Sequence, residues 1–276
     1  MSKADEIFIT MCRDIIHNGV SSEGQTVRAR WEDGAPAHTV KSFAVVNRYD
    51  LEEEFPALTL RPTAIRSATD ELLWIWQKKS NNVEDLCSHI WDAWADEKGS
   101  IGKAYGYQLS LKHQYKEGEM DQVDRVLYDL THNPYSRRIM TNLYNFSDLH
   151  EMALYPCAYS MTFNVTGNRL NAILNQRSQD VLVANNWNVV QYSILLMMMA
   201  QVSGFAPGEL VHVIADAHIY DRHIPIVEEM LKRQRFPAPT VHLNPEIKDF
   251  YRFTVDDVII EGYETNPQIK QIPVAV

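Results

Sequence analysis

Leu154 to Asn188 reads LYPCAYSMTFNVTGNRLNAILNQRSQDVLVANNWN, and its pattern organises the rest of the chain. Apolar and polar residues alternate from Tyr159 to Val165 and again from Leu170 to Asn175, with Thr166-Gly167-Asn168 between the runs. Two period-two runs joined by a short Gly/Asn turn predict a β-hairpin. Reactive side chains gather at its ends. Cys157 stands on entry, Gln176, Arg177, Ser178, Gln179 and Asp180 follow the second strand, and Asn188 opens a helix. A thiol, a guanidinium, a hydroxyl, a carboxylate and an amide around one hairpin are more than a core needs.

With 276 residues and 45% hydrophobic content, the chain can bury a large core. Its net charge of −10 argues against a nucleic-acid partner, which needs a basic face, but leaves room for a small anion held by local arginines. The cysteines are Cys12, Cys87 and Cys157, an odd number without metal-type spacing. That predicts neither a disulfide framework nor a zinc site, and fits a reducing, cytoplasmic setting. The N-terminus lacks a signal-peptide layout. The most apolar run, Val189 to Val202, is broken by Gln191, Ser193 and Gln201 and is too short for a bilayer. It reads as a buried central helix, its methionines filling core.

Elsewhere the periodicity predicts helices over Ala4–Asn18 (stopped by Gly19), 66–77, 83–94, 121–130 and 224–235. Strands are expected over 40–49, 139–143 and 208–216, with polar or glycine-marked loops over 20–38 and 100–109. Several residues carry two readings. Glu71, among Leu72, Leu73, Trp74, Ile75 and Trp76, is by spacing an exposed face residue; buried there, its pKa would rise and suit proton transfer. Trp91 and Trp94 share a helix face and by default pack a core. Arg137 and Arg138 serve solubility or bind phosphate. His218 and Tyr220 share one strand face, and a metal reading of Asp216, His218 and His223 has no strong spacing behind it.

Pro156-Cys157, then Gln176-Arg177-Ser178-Gln179-Asp180, then Asn188, then Asp216-Ala217-His218-Ile219-Tyr220 resemble, in order, the motifs of the thymidylate synthase family. Glu71-Leu72-Leu73-Trp74, Ile90-Trp91-Asp92, Tyr105-Gly106, Ser136-Arg137-Arg138 and the tail Pro273-Val274-Ala275-Val276 extend the likeness over nearly the whole chain. The resemblance implies one α/β (α+β) domain over 1–276, with a mixed, antiparallel-rich sheet forming a homodimer interface, surrounded by helices. It implies reductive methylation of dUMP to dTMP, with 5,10-methylenetetrahydrofolate as one-carbon and hydride donor and no metal.

By the same resemblance Cys157, Glu71, Tyr105, Asn188 and Asp180 are catalytic. Arg28, Gln176, Arg177, Ser178, Gln179, Asp180, Asn188, His218 and Tyr220 bind dUMP, as do Arg137 and Arg138 from across the dimer. Ile90, Trp91, Trp94, Asp180, Ala275 and Val276 form the folate site. The chemistry is coherent: a thiolate added at C6 of uracil turns C5 into a nucleophile, and a cation such as Arg177 lowers a thiol's pKa. The Asn188 amide offers both a donor and an acceptor, matching uracil O4 and N3–H better than cytosine; related hydroxymethylases of deoxycytidylate place an aspartate there. Asn188 also reads as a plain N-cap. Departures from the family pattern are Ala158 for a usual His, Ala184-Asn185-Asn186-Trp187 for Gly-x-Pro-Phe, Arg61 for Lys and Ala64 for His. The alternatives are a dUMP/dCMP hydroxymethylase and a catalytically weak nucleotide- or RNA-binding relative.

Overall fold

The computed structural model describes residues 1–275. Helix α1 (Lys3–Asn18) begins where Ser2 Oγ accepts the Ala4 N–H, with Asp5 and Glu6 favourably placed in its first turn. Gly19 ends it in extended backbone, where a Cβ would lie 2.3 Å from the Ile15 carbonyl oxygen. Two-residue β1 (Val20–Ser21) precedes the long β2 (Thr39–Asp50) and helix α2 (Ile65–Trp76). Short α3 (Gly106–Ser110), the ribbon β3 (His113–Tyr115) with β4 (Gly118–Met120), and α4 (Gln122–His132) follow. Then come β5 (Met140–Asn142), the hairpin β6 (Ala158–Thr166) and β7 (Arg169–Gln176), and β8 (Gln179–Asp180). Helix α5 (Asn185–Ser203), β9 (Ala206–Tyr220), α6 (Ile224–Met230) and the ribbon β10 (Thr240–Leu243) with β11 (Val258–Glu261) complete the order.

The main sheet runs β1-β2-β9-β7-β6-β5, with β8 also paired to β9. It is mixed: β9 lies antiparallel to β2 and parallel to β7 and β8. The predicted hairpin is present, turning at Gly167 (φ +62°) with Thr166 opposite Arg169. Register assembles the site. Ala158 pairs with Gln176, Gln176 with Ile214, and Asp180 with His218, so three strand ends converge. One face of the sheet is covered by α5, which packs on β9 and β7 and is itself covered by α2; α5 is buried nearly all round, as its apolar sequence requires. Helix α1 packs a second cluster against the Ile214–Ile219 half of β9.

Three expectations are corrected. Residues 83–94 form no α-helix, only two 3₁₀ turns, Val83–Asp85 and Asp92–Trp94. Tertiary bonds replace the helical ladder: the Cys87 N–H donates to Asp70 and the Trp91 indole to Glu71. Helix α6 ends at Met230 rather than 235, and beyond it Arg233 is drawn to the carbonyls of Leu60 and Pro267. Asn188 does not open α5, which begins at Asn185; its N–H is already bonded to the Ala184 carbonyl, and its side chain is free of capping. The 100–109 loop also holds the start of α3.

Candidate active site

Cys157 sits just before β6, half-buried, and its carbonyl accepts the Arg177 N–H at 3.0 Å. Arg177 folds back over this turn. Its Nε donates to the Pro156 carbonyl (3.0 Å), its Nη2 to the Tyr155 carbonyl (2.7 Å), and Nη2 lies 3.7 Å from Cys157 Sγ. Arg177 lowers the thiol pKa, as a nearby cation should, but the net shift is upward. Burial pushes it up, and the opposing charges of Arg177 and Arg28 do not fully offset this.

Tyr105 approaches from the other side, its hydroxyl oxygen accepting the Cys157 N–H at 3.2 Å. Its backbone takes φ +46°, a sparsely populated region for a non-glycine residue. The next residue must be glycine, because a Cβ on Gly106 would lie 2.1 Å from the Ser80 carbonyl oxygen. The Tyr105 ring meets Trp91 edge-on at 5.1 Å, and burial raises its phenol pKa well above the usual range.

Glu71 is buried, not on an exposed face. Three side chains donate to its carboxylate: the Trp91 indole (2.6 Å), Gln191 Nε2 (2.8 Å) and the Trp187 indole. Burial raises its pKa and outweighs these three donors, as expected of a carboxylate buried at this position. Trp187 and Gln191 escaped the sequence reading. The sole signal was that Trp187 departs from a usual Phe.

Asn188 faces two glutamines, with its Oδ1 3.3 Å from Gln179 Nε2 and 3.4 Å from Gln176 Nε2. Gln176 in turn contacts buried His212, whose imidazole burial pushes down to about 3. His212 too was missed, since a lone His in a strand carries no pattern. On the same strand His218 Nδ1 meets Asp216 at 2.9 Å, and the His218 and Tyr220 rings touch edge-on at 5.2 Å. Ser178, between Arg177 and Gln179 in sequence, is half-buried.

Arg28 lies on the exposed 20–38 loop, yet its charge acts on both Cys157 and Tyr220, whereas Arg30 bears on neither. Trp31 anchors that loop: it is buried, donates to Asp221 (3.1 Å) and packs edge-on against Tyr220 and His223. A tryptophan inside a polar loop was a usable signal that went unread. Asp180 accepts the Val183 N–H and lies 3.7 Å from His223, whose Nε2 bonds the Pro273 carbonyl of the tail. Burial opposes charge on His223, but Asp180 and that carbonyl prevail and its pKa is raised.

Trp91 and Trp94 remain in edge contact at 5.6 Å despite the missing helix, and Ile90 beside them is 40% exposed. Ala275 is partly buried, and Val276 lies outside the described residues. Arg137 and Arg138 are exposed, and no ion pair or side-chain hydrogen bond links either to the Cys157 cluster among the described residues. Among those residues, no three His, Cys, Asp or Glu side chains gather as a metal-holding group.

A sequence model described as "Thymidylate synthase" matches residues 6–276. Thymidylate synthases of Bacillus subtilis subsp. natto and of Bacillus phage phi3T are each 44% identical over 269 residues, covering 96% of both chains. The solved thermostable thymidylate synthase A from Bacillus subtilis superposes with a TM-score of 0.94 at 42% identity, covering 99% of each chain.

Proposed function

The chain belongs to the thymidylate synthase family, and we infer from this that it makes dTMP by reductive methylation of dUMP with Cys157 as nucleophile. The observation that carries the assignment is the Arg177 guanidinium, 3.7 Å from Sγ and fastened to the two carbonyls before it. A cation held there stabilises the thiolate as it forms during attack on C6 and opposes the upward push of burial on the thiol pKa. The matched relatives are synthases, so the hydroxymethylase and binding-relative alternatives are set aside.

Each remaining residue has a role its geometry supports. Glu71 holds a proton nearer neutral pH than an ordinary carboxylate and is braced to move it. Tyr105, spending its oxygen on the Cys157 N–H, keeps its hydroxyl hydrogen free to donate toward the reacting ring. Asn188 reads the pyrimidine, with Gln176 and Gln179 behind it and Ser178 alongside Arg177. His218 and Tyr220 face the sugar, and Arg28 closes on the phosphate. 5,10-Methylenetetrahydrofolate supplies the one-carbon unit and the hydride. Ile90, Trp91 and Trp94 offer its ring system an apolar wall, Asp180 a carboxylate for paired N–H donors, and the tail at Ala275–Val276 a cover that excludes water.

Residues 1–276 act as one unit that pairs with a second copy. The face of the sheet away from α5 supports this. Val46 (53% exposed) neighbours Val213, and Ile173 (39%) neighbours Val211, making an apolar stripe across β2, β9 and β7. Arg137 and Arg138 then serve the partner's phosphate. No helix among the described residues is long and apolar enough to cross a membrane, and three free cysteines suit the reducing cytoplasm.

The assignment is tested with dUMP bearing fluorine at C5, which cannot leave as a proton. Incubated with methylenetetrahydrofolate, the protein is expected to gain the mass of both ligands on the peptide holding Cys157. An unmodified peptide, with the nucleotide bound, contradicts it.

A further inference from the structure

His212, Gln176, Gln179 and Asn188 form one hydrogen-bonded row, of which the first three are almost wholly buried. Each amide has two faces, a donor and an acceptor, so the row has a direction. His212 decides it. Its Nδ1 is buried without a partner, while Nε2 meets Gln176 Oε1. A neutral imidazole carries one proton. On Nδ1 that proton would be a buried donor with no acceptor, the rarer and costlier arrangement. On Nε2 it is used at once. Gln176 must then turn its oxygen to His212 and its amide nitrogen to Gln179 Oε1, and Gln179 turns its nitrogen to Asn188 Oδ1. Asn188 Oδ1 is thereby fixed inward, and its Nδ2, which has no protein partner among the described residues, is left as the group presented to a ligand.

We propose that buried His212 is a positioning residue for substrate choice: its Nε2–H tautomer sets the polarity of the Gln176–Gln179–Asn188 row, so that Asn188 offers a donor to the pyrimidine 4-position. This rests on the reading of dUMP as substrate. Uracil O4 accepts that donor, whereas cytosine N4 is itself a donor and meets it unfavourably. The reverse tautomer would reverse every amide and present Asn188 Oδ1, which suits cytosine. The reading of uracil is thus held from a buried strand residue, two amides behind Asn188.

The test uses the full chain. In ¹⁵N-histidine-labelled protein, the His212 ring signals, assigned by their loss in His212→Gln, are expected to show the Nε2–H tautomer; Nδ1–H would overturn the proposal. In kinetics, His212→Leu removes the donor, and the KM for dUMP is expected to rise about tenfold while kcat changes far less. Inhibition by dCMP relative to dUMP affinity should strengthen by a similar factor. His212→Gln, which can still donate to Gln176, should restore discrimination toward wild type. Unchanged dUMP-over-dCMP preference in His212→Leu, or equal loss in both variants, would overturn the role. Failure of the dUMP reading shows separately, as no turnover by the wild-type protein, while the tautomer is read without substrate.

Discussion

Arg177 reaches back 20 residues to stand 3.7 Å from Cys157 Sγ, and the same guanidinium holds the carbonyls of Tyr155 and Pro156. One side chain therefore shapes the turn that presents the thiol and supplies the charge that favours its ionisation. Burial is the larger influence and the net shift of the thiol pKa is upward, with the cation opposing it.

Replacing that cation separates the two roles. Arg177→Gln removes a charge that lowers the Cys157 pKa, so the pH at which iodoacetamide labels Cys157 should move upward. Turnover should fall by roughly 100-fold or more, as for loss of a charge-stabilising group. Labelling with an unchanged pH profile would show that Arg177 holds the turn alone.

Trp187→Phe withdraws one of three donors from buried Glu71. The carboxyl pKa, already raised, should climb further, and the pH–rate profile with it. The sign follows from linkage. A carboxyl raised on folding binds more protons in the native state, so stability falls as pH rises from the unfolded value of 4.5 through the folded one. In Trp187→Phe this decline should extend to higher pH, with a loss of about 1–3 kcal/mol near neutrality from the weakened carboxylate. Thermal unfolding across pH measures both.

His223 ties the tail to the site through Pro273 and Asp180. Its folded pKa is raised above 6.5, so the Asp180 attraction is fully present below that value and is lost as pH rises through the folded one. Carboxypeptidase trimming of the C-terminus, followed by mass, should therefore quicken on the alkaline side. In His223→Phe it should be fast and insensitive to pH across the same range.

Arg137 and Arg138 sit exposed, outside the Cys157 cluster of their own chain. If they complete a partner's site, Cys157→Ser and a double Arg137→Ala/Arg138→Ala variant, each inactive, should regain activity when unfolded and refolded together. A mixture as inactive as its parts would show that the arginines serve their own chain or none.

Much of this was legible in residue order alone. Strict alternation on either side of Thr166-Gly167-Asn168 specifies the hairpin, and the register that follows brings Gln176, Asp180 and His218 together. Period failed at 83–94, where the apolar spacing was helical but the Cys87 backbone N–H goes to Asp70 and the Trp91 indole anchors the segment on Glu71. Exposure of Glu71 was misread from spacing for a related reason: α2 is covered by α5, and the buried face becomes almost the whole helix. His212 and Gln191 were invisible because each matters only through a contact made across the fold, whereas Trp31 was a readable signal in a polar loop. The Arg177 motif and its lowering effect on Cys157 were legible, but the net shift was not, since that depends on how deeply the thiol is buried.

The most direct measurement is the product itself. Wild-type protein with dUMP and methylenetetrahydrofolate should yield dTMP and dihydrofolate in equal amounts, read by nucleotide mass and by absorbance, and Cys157→Ser should yield neither. A hydroxymethylated nucleotide without dihydrofolate, or turnover that survives Cys157→Ser, would contradict the account.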